Sequence, residues 1–122
     1  MIWIIALGGA IGAAVRFLLS DFINKRWAKK AKLHRFPLST WIINISGSFL
    51  LGIIAKLHLN NSIEEWVWFL VGVGFCGAYT TFSTFGYETI RLVEDKKIRL
   101  AFTYVLSSLV LGIVFASIGF II

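Results

Sequence analysis

Acidic residues are scarce in this chain. Asp21, Glu64, Glu65, Glu88, Glu94 and Asp95 are the only six among 122 residues, and all fall in loops or at the ends of apolar stretches. A small proton-coupled multidrug exporter needs an ionisable carboxylate well inside a helix, and only Glu88 comes near that requirement. Cys76 is the single cysteine, which excludes an intrachain disulfide and a cysteine-based metal site and leaves a small apolar packing residue. His34 and His58 sit in or beside loops with no partner pattern and are expected in solvent. The chain has no HExxH, Walker loop, nucleophile elbow or paired in-span carboxylates. Bond-making chemistry is not expected, and the chain is not read as an enzyme. Met1–Ala14 is apolar from its start, without the basic n-region that a cleavable signal peptide carries.

What the chain has in excess is apolar length. It is 58% hydrophobic with a mean hydropathy of +0.85, far outside the soluble range. Spans are expected at about 2–19, 36–57, 65–91 with a break near 77–81, and 99–122. Each approaches or exceeds the ~20 residues that cross a bilayer core. The expectation is an all-α, multi-pass protein of the cell membrane, a single four-helix domain over 1–122. Basic residues are biased. Lys25, Arg26, Lys29, Lys30, Lys32 and Arg35 crowd the first loop and Arg91, Lys96, Lys97 and Arg99 surround the third, against Lys56 alone on the opposite side. The positive-inside rule then puts both loops in the cytoplasm. Such juxtamembrane cations meet anionic membrane lipid rather than nucleic acid.

The third span holds the least ordinary stretch, GFCGAYTTFSTFGYE from Gly74 to Glu88. Hydrocarbon cannot satisfy open backbone groups, so a Gly/Thr-rich break at that depth must face protein or an aqueous path. Gly77 and Gly86 are expected to make the break conformationally cheap. Phe82 and Phe85 alternate with Thr80, Thr81, Ser83 and Thr84. Aromatic rings have electropositive edges, and edges turned inward offer a small anion weak contacts that allow it to leave. In the second span Thr40, Asn44 and Ser48 recur at intervals of four, one helical face. An amide that deep either bridges helices or lines a polar path. In the fourth span Tyr104, Ser108 and Gly112 recur at the same interval, as a polar track or as hydroxyls bonded to backbone. Gly8, Gly12 and Ala13 give the first span a close-packing seam, and Arg16 either snorkels to the interface or attracts an anion at a pore entrance. Pro37 is expected as the first residue of its helix, Ser62 and Glu65 have capping-box spacing, and Trp66 and Trp68 suit an interfacial belt.

GGAIGAAVRF, PLSTWIINISGSFLLG and GFCGAYTTFSTF, in that order across four short spans, closely resemble the Fluc (CrcB) family of fluoride channels. The resemblance covers essentially the whole chain, and the TTFSTF element is its most specific part. It implies a passive fluoride-selective exporter built as an antiparallel, dual-topology dimer with two pores. It implies that Phe82 and Phe85 turn ring edges to the anion, that Asn44 is a pore amide, and that Tyr104 and Ser108 belong to the polar track. Thr40, Ser83 and Thr84 are expected with these pore residues, and Arg16 and Glu88 match the family's arginine at the end of the first motif and its carboxylate just past the break. Gly77 and Thr80 would give backbone carbonyls to a structural Na+ at the dimer centre, an oxygen-only site suited to a hard cation. Ser39, Trp41 and Phe17 depart from the family's commoner Gly, Leu and Tyr. The Lys/Arg bias leaves two partners open: a second copy of this chain, or an oppositely oriented homologous subunit.

Overall fold

The computed structural model describes residues 1–26 and 36–122. Lys29, Lys30, Lys32, His34 and Arg35 of the expected basic loop lie outside the described residues. Four helical spans follow one another: α1 (Ile2–Arg26), α2 (Leu38–Leu59), a segmented third span, and α6 (Ile98–Ile121). The third span begins as α3 (Glu65–Val67) and widens into a π-helical stretch (Trp68–Cys76). It narrows to α4 (Gly77–Tyr79), breaks, and resumes as α5 (Phe82–Glu94). All four spans are long and apolar enough to cross a membrane. The expected architecture is present, including the broken third helix.

Boundaries differ in informative ways. α1 runs to Arg26, seven residues past the expected end, because nothing between Leu19 and Arg26 stops a helix and an exposed Asp21–Lys25 pair at 3.1 Å supports its last turns. Arg16 is consequently mid-helix. α2 starts at Leu38, with Pro37 just outside it at the N-cap. The Ser62–Glu65 capping box does not form: Glu64 is the N-cap, and no side chain caps that end.

Small residues bring the spans to backbone distance. A Cβ on Gly8 would collide with the Leu70 carbonyl and one on Gly12 with that of Phe75, so the seam read in α1 packs on the π-helical stretch. Gly52 of α2 lies likewise against the Ala116 backbone of α6. Helix association in lipid depends on such close packing because apolar burial alone gives little drive there. Cys76 is buried, as its packing role requires. Trp66 is half exposed, and Trp68 stacks on His58 with centroids 4.6 Å apart. His58 is therefore partly covered by an aromatic neighbour rather than freely solvated.

Candidate functional site

The break falls on Thr80 and Thr81, inside the range expected for it. Both are in extended conformations, φ −76°, ψ 153° and φ −141°, ψ 117°. Any residue adopts those angles, and no glycine here has positive φ. Gly77 is helical and Gly86 lies inside α5, so glycine freedom is not what permits the break. Asn44 permits it. Its Nδ2 donates to the Thr81 carbonyl at 3.2 Å, and its Oδ1 accepts from the Thr81 amide at 2.9 Å. One side chain thus replaces both backbone partners lost where the helix opens, which a buried peptide requires. Thr81 also caps α5, its hydroxyl accepting from the Thr84 amide at 3.3 Å. A Cβ on Gly47 would strike the Thr80 methyl, so its absence lets α2 approach the break. Among the described residues no backbone hydrogen bond ends on the carbonyls of Gly77 or Thr80.

Beside the break, Asn44, Ser48, Thr80, Thr81, Phe82, Phe85 and Ser108 line an open cavity of about 290 Å3. Ser48 Oγ is used within its own helix, donating to the Asn44 carbonyl at 2.8 Å. Ser108 Oγ is different: it is buried and has no partner among the described residues. A buried hydroxyl left unmatched costs free energy unless something else fills the role. Phe82 is 84% exposed, whereas Phe85 is half-buried. Their rings stack with centroids 6.3 Å apart at 28°, so the pair is not projected as one uniform face.

A second polar group lies along the same helices. Tyr104 has no solvent exposure, and its hydroxyl donates to Glu88 Oε1 at 3.2 Å. Its ring is 5.0 Å from that of Phe85, and Thr40 adjoins both Glu88 and Tyr104. Glu88, expected at a span end, in fact sits within α5 and helps line a cavity of about 530 Å3 with Asn24, Ser39, Tyr87 and Arg91. The first span runs past its expected end and so does this one, with α5 reaching Glu94. Arg16 opens onto a third cavity together with Asp21, Asn24, Thr40, Thr81 and Thr84.

Residues 3–120 match the CrcB family, described as "CrcB-like protein, Camphor Resistance (CrcB)". The chain belongs to the CrcB family. Among the similar relatives of this CrcB chain is "Fluoride-specific ion channel FluC 2" of Clostridium acetobutylicum, 46% identical over 91% of the chain and 87% of the relative. "Fluoride-specific ion channel FluC 1" of Carboxydothermus hydrogenoformans is 41% identical over 95% and 87%. "Fluoride-specific ion channel FluC 2" of Bacillus subtilis is 39% identical over 93% and 79%.

In this CrcB-family chain the residues singled out from sequence divide into two groups. Asn44, Thr80, Phe82, Phe85 and Ser108 share one cavity, while Glu88, Tyr104 and Thr40 form the polar group beyond Phe85. Ser83 and Thr84 are exposed beside the break. Neither lines the Ser108 cavity, and Thr84 faces the one that Arg16 opens onto. The Thr40–Asn44–Ser48 face does not act as one stripe, because Thr40 turns away to Tyr104. Thr81 stands in the sequence only as one of the polar residues around the phenylalanines, and its role as the N-cap of α5 was missed. A threonine just ahead of a helical run is an N-cap signal, and it would have placed the restart of the helix.

Proposed function

We propose that the chain is a fluoride-selective channel that passively exports the anion from the cytoplasm, and not an enzyme. The observation that carries this is the buried, unpartnered Ser108 hydroxyl, which borders a cavity shared with Asn44, Ser48, Thr80, Thr81, Phe82 and Phe85. An open hydroxyl beside two aromatic rings suits a small anion held weakly and released. The names of the relatives supply the identity of the ion. Weak-acid HF crosses membranes, dissociates in near-neutral cytoplasm and is trapped as fluoride. A channel of this kind needs no energy input to release it.

The working form is an antiparallel dimer of this chain. Supporting it, Phe82, Ser83 and Thr84 are exposed beside a break at membrane depth, where lipid is an unsuitable neighbour for polar groups. The free carbonyls of Gly77 and Thr80 would hold Na+, two from each copy, and the cation would supply the positive charge that lets two negative backbone ends meet.

The test is fluoride efflux from liposomes that contain this chain alone, followed by a fluoride electrode with chloride-loaded vesicles as control. Fluoride release without chloride release supports the channel and shows that one gene product suffices. Release only after an inverted homologue is added supports the heterodimer that the Lys/Arg bias allows. Failure of both refutes the channel. Phe82→Ile is expected to abolish flux while the dimer still forms; unchanged flux would remove Phe82 from the path.

A further inference from the structure

The Tyr104 ring is gripped by more than Phe85. Phe36 meets it edge-on, with centroids 5.5 Å apart at 87°, and the Trp41 indole meets Phe36 edge-on at 5.8 Å and 73°. Trp41 Nε1 donates to Ser107 Oγ at 3.0 Å, and the Ser107 hydroxyl donates in turn to the Tyr104 carbonyl at 3.4 Å. These contacts close on themselves: Phe36 restrains the Tyr104 ring, and Trp41 reaches the Tyr104 backbone through Ser107. Phe36 and Trp41 both pack on the buried cluster of Leu92, Ala101 and Tyr104. Neither lines the cavity that holds Ser108.

We propose that Phe36 and Trp41 are positioning residues of the ion path, locking Tyr104 between Phe85 and Glu88 and occupying Ser107. The Tyr104 hydroxyl oxygen lies on the long axis of its ring, so the first side-chain torsion places it, and the packing of Phe36 and Phe85 against the ring restrains that torsion. Ser107 and Ser108 are adjacent on α6, yet one is spent on Trp41 and the other is open. The indole N–H fills an acceptor position on Ser107, whose own O–H goes to the Tyr104 carbonyl, which leaves Ser108 as the open hydroxyl on that turn. The inference rests on the channel reading, since it assigns these residues to that path.

Phe36→Met and Trp41→Met keep an apolar side chain and remove the ring edge. Phe36→Tyr and Trp41→Phe keep the ring. Fluoride efflux from liposomes is measured for all four beside wild type, with the size profile and melting midpoint of each purified protein. The methionine variants are expected to slow efflux roughly fivefold to tenfold, the scale of losing one or two ring–ring contacts. Phe36→Tyr, which keeps its edge contact, is expected within about twofold of wild type, whereas Trp41→Phe, which keeps a ring and loses the N–H to Ser107, is expected between wild type and Trp41→Met. Full-rate efflux from folded Phe36→Met overturns the inference, as does an equal loss in Phe36→Tyr. Should Phe36→Met fail to fold, Trp41→Met reads the same contacts with the same outcomes. A wild type silent both alone and with an inverted homologue overturns the channel reading and this inference with it. An active wild type with unaffected methionine variants overturns this inference alone.

Discussion

The two halves of the third span are built to opposite ends. The π-helical half buries Gly72, Gly74 and Cys76 and lies at backbone distance from α1, with Gly8 and Gly12 admitting its carbonyls. α5, after the break, is amphipathic and packs chiefly on α6 through Leu92, Phe85, Ala101 and Tyr104. Its Phe82, Tyr87 and Ile90 are left exposed. The first half has no polar side chain between Trp68 and Cys76, whereas the second carries the serine, threonines and glutamate of the site. Immobility on one side of the break lets chemistry sit on the other. π-Helical turns concentrate near functional sites, and here the widened stretch leads directly into the break.

The packed half is tested by forcing a side chain into its seam. Gly12→Leu would drive a side chain into the Phe75 backbone, which cannot swing aside as a flexible side chain can. The cost should be roughly 3 kcal/mol, the upper range for overpacking. Yield of monodisperse protein and melting midpoint measure it, and a stable Gly12→Leu protein would mean that the seam is not rigid. Asn44→Leu strikes the junction instead. It leaves the Thr81 N–H and C=O without partners, at about 1–3 kcal/mol for each group left unsatisfied. Asn44→Asp still accepts from the amide but sets a carboxylate oxygen against the Thr81 carbonyl at membrane depth, so it should recover stability only when the carboxyl is protonated and can donate. An Asp variant whose melting midpoint does not rise as pH falls would show that the bond to the carbonyl contributes little.

Within the site, adjacent serines sharpen the contrast. Ser107→Ala removes the acceptor of the Trp41 indole and should cost about 1 kcal/mol of stability. Ser108→Ala removes a hydroxyl that bonds to nothing among the described residues, so its stability should change by less than about 0.5 kcal/mol. Its fluoride flux should nevertheless fall by roughly tenfold, the worth of one hydrogen bond to an ion. If Ser108→Ala melts lower and conducts normally, Ser108 belongs to the packing and not to the path.

How much of this was legible beforehand follows the same division. Span number, the break near 77–81 and the seam at Gly8 and Gly12 came from patterns that are local in sequence: apolar length, Gly/Thr composition and spacing. Asn44 could be placed inside the membrane, but not what it held, because its partner Thr81 is 37 residues away. The amide bridges α2 to the break, one of the two roles its spacing offered, and it also borders the Ser108 cavity. Glu88 and Arg16 were read as boundary residues because span ends were judged by charge, yet helices continue through charged residues when nothing caps them. The bracing of Tyr104 by Phe36 and Trp41 was invisible, since aromatic residues on three different segments carry no shared period. The π-helical stretch was invisible too: an extra residue per turn leaves no mark in a run that is apolar on every side.

One substitution made in both halves gives the smallest effect and the cleanest sign. A Cβ at Gly74 would lie 2.6 Å from the Ile5 carbonyl and 3.1 Å from the Gly8 backbone, whereas at Gly86 it would meet nothing within 4 Å. Alanine favours a helix over glycine by roughly 0.5–1 kcal/mol at either position, because glycine loses more backbone freedom on folding. At Gly74 the collision with α1 should outweigh that gain, with overpacking of a fixed backbone costing about 1–3 kcal/mol. At Gly86 the gain should stand alone. Gly74→Ala is therefore expected to lower the melting midpoint of the purified protein and Gly86→Ala to raise it slightly. Opposite signs would establish that the two halves differ in packing and not only in composition. A Gly86→Ala protein that melts lower would place a close neighbour on that face of α5, and the open half of the span would then be no more open than the closed one.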